Sequence, residues 1–322
     1  VPTAFLLGRM VLRQERAALL AATLLLLDGQ PLVQSRLATT NVFAVLFQVA
    51  AAYLMLRAAL AERLRAGSLM AAALCAGLAL STRWSSVAVV GFLALVLLCV
   101  RRERLLQRRE MLLLLAAAAL IPLVYAASYI PWVAQGHSLA DLVRLQQRML
   151  ETHSAMDETH RYGSPWYTWP WLVRPSLYFY EPPTPAYPFV VMVMAIGNPA
   201  VWWLSVPASL AALVIGIRRR DPRPLFCAAG FACAYLFWAV AARPLQFAHY
   251  FLDALPYACL SLGFLLDRAW DGRWRWLCRV YVVLAVLMAL YFYPVQTAVP
   301  IPASLFFHRL FPYVYPCRWP PT

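Results

Sequence analysis

Long apolar stretches recur from one end of this 322-residue chain to the other, and they constrain its fold more than any other feature. Most of them approach the roughly 20 residues that a helix needs to cross a bilayer. Hydrophobic residues make up 63% of the chain and charged residues only 13%. We therefore predict one all-α, polytopic transmembrane domain over residues 1–322. Its apolar segments are 1–12, 17–27, 41–59, 68–81, 84–100, 111–133, 189–217, 225–242, 247–266 and 280–296.

The basic residues, all of them arginines, are clustered at alternate ends of these segments. A net charge of +14 would suggest a nucleic-acid partner in a soluble protein. Here the positive-inside rule accounts for it, so we assign the arginine-rich ends to the cytoplasm and expect no nucleic-acid partner. The clusters are Arg9, Arg13 and Arg16; Arg57, Arg63 and Arg65; Arg101, Arg102, Arg104, Arg108 and Arg109; Arg218 to Arg220; and Arg268, Arg273, Arg275 and Arg279.

Most other unusual polar residues fall on the opposite, non-cytoplasmic side, in four groups. The first, residues 28–41, is predicted to be a tight hairpin in which Asp28 and Arg36 could pair while Gln34 and Arg36 point at the interface. Arginine suits a phosphate because it carries a permanent charge and forked donors. Capping and snorkelling are the structural alternatives. In the second group, Arg83 beside Trp84 is more typical of an interfacial anchor than of a ligand contact.

The third group lies in a polar external loop over residues 135–187. Residues 140–150 are amphipathic and predict a helix lying flat on the membrane. Two histidines and three carboxylates follow, but their spacing matches no strong ligand signature, so no metal site is predicted. The tryptophans Trp166, Trp169 and Trp171 suit either an interfacial belt or a platform for a sugar.

The fourth group is Arg243, Gln246, His249, Tyr250 and Asp253. Steps of three and four residues predict that they share one helical face entering the bilayer. Ionisable residues inside a span are costly and usually functional, and a buried ion pair between helices is the structural alternative.

Five motifs on these segments, taken together, resemble the protein O-mannosyltransferase family of GT-C glycosyltransferases. The resemblance covers nearly the whole chain. The motifs are Gln34-Ser-Arg36, Thr82-Arg-Trp-Ser85, Ser164-Pro-Trp-Tyr-Thr-Trp-Pro170, Gly197-Asn-Pro-Ala-Val-Trp-Trp203, and His249-Tyr250 followed by Ala254-Leu-Pro256.

The resemblance implies a GT-C helical bundle whose external loop carries short interfacial helices. It also implies inverting transfer of mannose from a polyprenyl-phosphate carrier to a Ser/Thr hydroxyl of a secreted or membrane protein. The reaction would take place at the outer, periplasmic or extracellular face of the plasma membrane. The lipid-linked sugar is then the donor, and the scheme requires no metal or other cofactor.

Candidate substrate contacts follow from the same resemblance and from the polar groups. Arg36, Arg243 and Arg83 would stabilise the leaving phosphate, with His249 and Tyr250 as further donors, while His160, Trp166 and Trp169 would shape the sugar or acceptor pocket. The full predicted set is Asp28, Gln34, Arg36, Arg83, His160, Trp166, Trp169, Asn198, Arg243, His249 and Tyr250. We expect Arg36→Ala and Arg243→Ala to abolish transfer.

Three departures from the family pattern matter. The family usually has Asp at the position of Asn41 and Lys at the position of Arg83, and the external loop is too short for the β-trefoil domain of eukaryotic members. The chain therefore resembles a prokaryotic form.

The resemblance also places the general base in an Asp-Glu pair of the first external loop, which would precede residue 1. We therefore expect the chain to be a C-terminal part, lacking the first spans and inactive by itself. Its catalytic residue is not identified, because Asp157-Glu158 belongs to a later loop.

Other functions remain open at this point. A related GT-C enzyme could act on lipid A or a cell-wall glycan. A transporter or lipid flippase predicts polar groups at mid-membrane and a repeated half, and the sequence has neither. An inactive binding or scaffold protein is the third alternative.

Overall fold

The helical elements follow the apolar segments closely. The computed structural model describes residues 1–155, 160–241 and 243–306. Its α-helices are α1 Pro2–Leu12, α2 Glu15–Leu26, α3 Gly29–Arg36, α4 Thr40–Ala59, α5 Ala66–Thr82, α6 Val87–Arg101, α7 Arg108–Ala127, α8 Ile130–Val133, α9 Leu139–Ser154, α10 Pro199–Arg219, α11 Pro222–Val240, α12 Leu255–Trp270, α13 Arg275–Thr297 and α14 Ala303–Leu305. Short 3₁₀ helices lie at Trp84–Ser86, Arg102–Arg104, Trp166–Trp171 and Ala248–Asp253.

Membrane-crossing length is reached by six of the described helical segments: α4, α6 with its flanking 3₁₀ turns, α7, α10, α11 and α13. The bent pair α2 and α3, which meet at 58°, raises the number to seven if it counts as one span. The helices α1 and α5 are shorter and apolar. The predicted helical transmembrane fold is therefore confirmed.

Close helix approach holds the bundle together. The main packing partners are α4 with α5, α5 with α7, α2 with α1 and α12, and α10 with α11 and α12. Gly230 lies directly against the ring of Tyr257, and Gly263 lies against the backbone of Ala17, so neither position has room for a Cβ atom. Small residues at such contacts are how transmembrane helices gain packing, since the lipid is as apolar as their side chains.

The predicted span over residues 189–217 is wrong in its first third. The structure places a strand there and starts the helix only at Pro199. The Asn198 side chain accepts a hydrogen bond from the Ala200 backbone N–H at 3.0 Å, and proline is well suited to the first helical position. An antiparallel sheet in the order β1-β2-β3 is thus added to the helical fold: β1 Ser176–Glu181, β2 Phe189–Ala195 and β3 Ile301–Pro302.

Arginines in the predicted cytoplasmic turns contact the ends of other helices. Such contacts are expected if the arginine-rich turns, which alternate along the sequence, lie at the same end of the bundle. Arg16, in the first turn of α2, pairs with Asp267 (2.6 Å) and Asp271 (2.7 Å) at the end of α12. Arg101 pairs with Glu110 and donates to the Ala61 carbonyl, in the turn between α4 and α5, at 2.9 Å. These contacts bring several cytoplasm-assigned turns to one end of the bundle and leave the other polar groups at the opposite end.

Candidate functional site

The fourth polar group does not lie on one α-helical face. Residues Ala248–Asp253 form a 3₁₀ helix, and α12 begins only at Leu255 with Pro256 in its first turn. Proline lacks an N–H and starts helices readily, so the chain changes direction before α12 instead of continuing one long helix. The predicted single face is therefore wrong, although several of its members still meet.

Arg83 faces inward, which makes the interfacial-anchor interpretation wrong. Its guanidinium lies 3.4 Å from the carboxylate of Asp253, and the two side chains are only 11% and 2% exposed. Asp253 also accepts hydrogen bonds from Gln48 Nε2 at 3.2 Å and Ser85 Oγ at 3.3 Å. The ion pair ties the turn after α5 to the 3₁₀ helix and fixes the position of the guanidinium.

Two of the three predicted phosphate-binding arginines converge on one ring. The Cζ atoms of Arg83 and Arg243 lie 5.1 and 5.2 Å from the centroid of Tyr250. Trp238 stacks on the same ring at 4.5 Å. The Tyr250 hydroxyl makes no hydrogen bond within the described part of the chain. We call Arg83, Arg243, His249 and Tyr250 the arginine–tyrosine cluster.

His249 enters this cluster as a neutral ring. Its Nδ1 lies 2.8 Å from Ser176 Oγ on β1, and its ring packs between Phe247 and Tyr250. Burial, together with the nearby charges of Arg83 and Arg243, lowers the pKa of His249 to about 3. When Ser176 donates to Nδ1, the single ring proton lies on Nε2 and is available to an anion.

The first polar group is a helix and not a hairpin. Asp28 caps α3 by accepting from the Gln30 backbone N–H at 2.9 Å. Because α3 is regular over both residues, Gln34 and Arg36 point in nearly opposite directions. Gln34 is buried and donates to the Tyr178 hydroxyl at 2.8 Å, whereas Arg36 is exposed and has no hydrogen-bond partner among the described residues.

Asp28 does not pair with Arg36. Its second carboxylate oxygen accepts from the Asn198 backbone N–H (2.9 Å) and from Trp202 Nε1 (2.8 Å). The Asn198 side chain in turn donates to the Leu27 and Ala285 carbonyls at 3.0 and 2.8 Å. Asp28 and Asn198 thus form a buried joint between the α2–α3 bend and the start of α10. Their contact with substrate stays a prediction.

The external loop packs its tryptophans inward. Trp169 is 1% exposed and donates from Nε1 to the Ser164 carbonyl at 3.0 Å, so its ring packs against the protein and its contact with substrate stays a prediction. Trp166 is half-buried against Tyr235. His160 remains exposed beside Phe247. Asp157 and Glu158, like the tail after residue 306, lie outside the described residues.

The amphipathic helix of the loop is confirmed as α9, which opens with a capping box between Ser138 and Asp141. Gln146 of α9 accepts from Tyr125 at 2.6 Å, and Tyr125 accepts from Trp84 Nε1 at 2.8 Å. This chain of bonds fixes α9 beside the turn that carries Arg83.

Sequence reasoning missed several residues that build the site. Gln48, Tyr125, Gln146, Tyr178 and Trp238 were not singled out, because each is a lone polar or aromatic residue inside an apolar or loop segment. The polar side chain of Gln48 in the middle of α4 was the one available signal.

Comparison with known proteins places this geometry in a family. The family model described as the C-terminal four-transmembrane region of protein-O-mannosyltransferase matches residues 138–304. The chain belongs to the protein O-mannosyltransferase family. The model for dolichyl-phosphate-mannose-protein mannosyltransferase matches the preceding residues 1–134.

Curated relatives agree with this assignment. The polyprenol-phosphate-mannose–protein mannosyltransferase of Mycolicibacterium smegmatis is 28% identical over 366 aligned residues, covering 92% of this chain and 71% of the relative. The protein of the same name from Mycobacterium tuberculosis is 28% identical over 370 residues, with the same coverage.

A solved structure agrees on the fold. A chain of the Saccharomyces cerevisiae protein O-mannosyltransferase Pmt1–Pmt2 complex, bound to the sugar donor, superimposes with a TM-score of 0.74 at 12% identity. The match covers 92% of this chain and 77% of that one. The GT-C mannosyltransferase fold is therefore confirmed for this protein.

Proposed function

We propose that this protein is a glycosyltransferase that moves mannose from a polyprenyl-phosphate carrier to a hydroxyl of an acceptor protein. Family membership and the names of its relatives support the donor and the acceptor class. The arginine–tyrosine cluster is the observation that carries the proposal, because it provides an anion site at the end of the bundle opposite the arginine-rich turns.

The charge of the cluster suits a lipid phosphodiester. Arg83 is paired with the carboxylate of Asp253, Arg243 has no ion pair among the described residues, and His249 is neutral, so one positive charge is left. A sugar phosphodiester carries one negative charge and gains a second when the sugar leaves. Preorganised cations at a poorly hydrated site stabilise that developing charge, which is the largest contribution that such a site makes to catalysis.

The hydroxyl of Tyr250 and Nε2 of His249 are further donors toward the same oxygen atoms. The exposed guanidinium of Arg36 is available to the phosphate from α3. Asp28, Gln34 and Asn198 act mainly as a frame, since their polar atoms already bond to the protein.

An apolar groove near Arg36 suits the polyprenyl chain. It has a volume of about 280 Å³ and is bordered by α1, α3 and α4, with Leu25, Ser35, Leu46 and Leu252 among its lining residues. Ser35 directly precedes Arg36, so a lipid lying in this groove brings its phosphate to the side of the bundle that carries the cluster.

The reaction that we propose inverts the anomeric carbon. The acceptor oxygen attacks that carbon on the side opposite the phosphate, the carbon–oxygen bond to the phosphate breaks, and the acceptor proton passes to a carboxylate base. His160 and Trp166, at the accessible part of the external loop, would face the acceptor. We place this chemistry at the periplasmic or extracellular face of the plasma membrane.

The test is a transfer assay with the purified protein reconstituted in liposomes. Polyprenyl-phosphate mannose is offered with a Ser/Thr-rich peptide, with lipid A, or with a cell-wall glycan fragment. Mannosylated peptide is the expected product. Transfer to lipid A or to the glycan alone would contradict the proposed acceptor, and movement of lipid without any transfer would indicate a flippase.

A further inference from the structure

A second apolar groove lies at the arginine-rich end of the bundle, away from the arginine–tyrosine cluster. It is bordered by α1, α4, α6 and α11 and has a volume of about 460 Å³. Phe92 and Phe226, with ring centroids 5.2 Å apart, form part of its inner surface. Leu95 of α6 is 59% exposed at its edge, so the groove opens toward the surrounding lipid.

Two arginines lie among the lining residues of this groove, and only one of them is neutralised. Arg223 is paired with Asp221, donating to its carboxylate at 2.8 Å from Nη2 and at 3.0 Å from Nε. Arg13 also lines the groove, but its side chain makes no hydrogen bond or ion pair within the described residues and is exposed. Arg13, Arg223 and Asp221 together leave one positive charge.

The backbone holds Arg13 in place. Arg13 ends α1 in the left-handed conformation, with φ of 56°, and Arg223 Nη1 donates to the carbonyl of Leu12 at 3.5 Å. The pKa of Asp221 is lowered, chiefly by its hydrogen bond from Arg223 and to a smaller extent by Arg13, so this carboxylate stays ionised. The uncompensated charge therefore remains on Arg13.

We propose that this groove is a binding site for one anionic phospholipid, with an acyl chain between α6 and α11 and the phosphate on Arg13. The proposal is independent of the transferase function. Any lipid tail is as apolar as the groove, so the tail alone gives little selectivity. The headgroup contributes the selectivity, since basic pockets between transmembrane helices on the cytoplasmic side attract anionic lipids.

A comparable groove in the same protein lacks the charge. It is bordered by α4, α5, α6 and α7, has a volume of about 440 Å³, and has no charged side chain among its described lining residues. That groove should accept lipid tails without regard to the headgroup. Comparing the two grooves therefore separates the contribution of the arginine charge to lipid binding from the contribution of the apolar surface.

The test is native mass spectrometry of the full-length protein released from nanodiscs of phosphatidylglycerol and phosphatidylcholine with identical acyl chains. The wild type should retain one tightly bound phosphatidylglycerol. Arg13→Gln should lower the preference for phosphatidylglycerol by about five-fold, which corresponds to one arginine near the membrane surface. Ala229→Phe, which fills the groove between α6 and α11, should remove the bound lipid.

Arg273→Gln is the matched control, because Arg273 lies in the turn after α12 with its guanidinium over Trp274. This variant should keep the wild-type preference. An unchanged preference in Arg13→Gln, or an equal loss in Arg273→Gln, overturns the proposal. Displacement of the lipid by millimolar inorganic phosphate or by polyprenyl phosphate would also overturn the proposal, because it would identify that phosphate compound as the occupant. A dimer that Ala229→Phe dissociates would overturn it as well, because a second copy of the protein would then occupy the groove.

Discussion

Replacing Arg243 with glutamine tests the proposed anion site most directly. Arg243 donates from Nε to the Leu245 carbonyl at 3.1 Å, which leaves the four terminal N–H groups of the guanidinium for a ligand. Counted together with Asp253, the cluster carries one positive charge, and the substitution lowers this net charge to zero. It also removes one of the two cations held over Tyr250.

The size of the effect follows from these contacts. A hydrogen bond to a charged group contributes about 1.5–3 kcal/mol. Two unit charges about 4 Å apart interact by about 4 kcal/mol at an effective dielectric constant near 20, and desolvation offsets part of that energy. We therefore expect transition-state stabilisation to fall by about 2–3 kcal/mol, or about 30- to 150-fold in kcat/KM for the lipid donor.

The assay is mannose transfer in liposomes with donor concentration varied at saturating peptide. Arg243→Lys should recover part of the loss, because it restores the charge without the forked geometry. Arg174→Gln is the matched control: this exposed arginine of the external loop donates to the Gly163 carbonyl at 3.1 Å. It should change kcat/KM by less than about two-fold. A wild-type value for Arg243→Gln with intact folding would refute the anion-site assignment.

Three further predictions concern the frame of the site. Asp28→Asn should lower the thermal unfolding temperature in detergent more than the control Asp141→Asn, as measured by tryptophan fluorescence. The reason is that Asp28 accepts three buried hydrogen bonds, and each donor left unpaired costs about 1–3 kcal/mol. Gly197→Ala should lower the thermal unfolding temperature because its Cβ would overlap the indole of Trp202. Because Trp202→Ala removes that indole, the double variant should lose less stability than the sum of the losses in the two single variants. The folded-state pKa of His249 is about 3, whereas the ordinary value is near 6.5, so the unfolded chain binds one more proton between these pH values. The free energy of unfolding should therefore rise with pH from about 3 to about 6.5 and stay level above that. His249→Gln should reduce this rise, and an unchanged slope in the variant would contradict the prediction.

The elements that the sequence predicts well are those with a strong period. Helix α9 follows from its amphipathic pattern, and the apolar segments 41–59, 84–100, 111–133, 225–242 and 280–296 return as α4, α6, α7, α11 and α13. The arginine clusters predict which turns share an end, because a charge of that density is tolerated only outside the bilayer.

The elements that it predicts poorly depend on single contacts. Whether residues 28–36 form a turn or a helix is decided by the Asp28 cap, and whether α12 reaches back to Arg243 is decided by Pro256. The strand β2 is as apolar as a buried helix, so hydropathy alone cannot separate it from α10. Pairing with β1 distinguishes the two, and that contact is not written in the local sequence.

The position of the site follows from where the backbone departs from regular helix. Arg83 follows the end of α5, Asp28 occupies the bend before α3, and His249 and Tyr250 lie in the 3₁₀ helix before α12. A continuous transmembrane helix satisfies its own backbone and can expose only apolar side chains to lipid, whereas irregular backbone at membrane depth must be buried in protein or line a polar cavity. The contacts that supply hydrogen bonds to the backbone at these breaks therefore also surround the carboxylate of Asp253 and hold two guanidinium groups close together. It follows that changes which straighten a break, such as replacing Pro256 with alanine, should disperse the cluster without touching a charged residue.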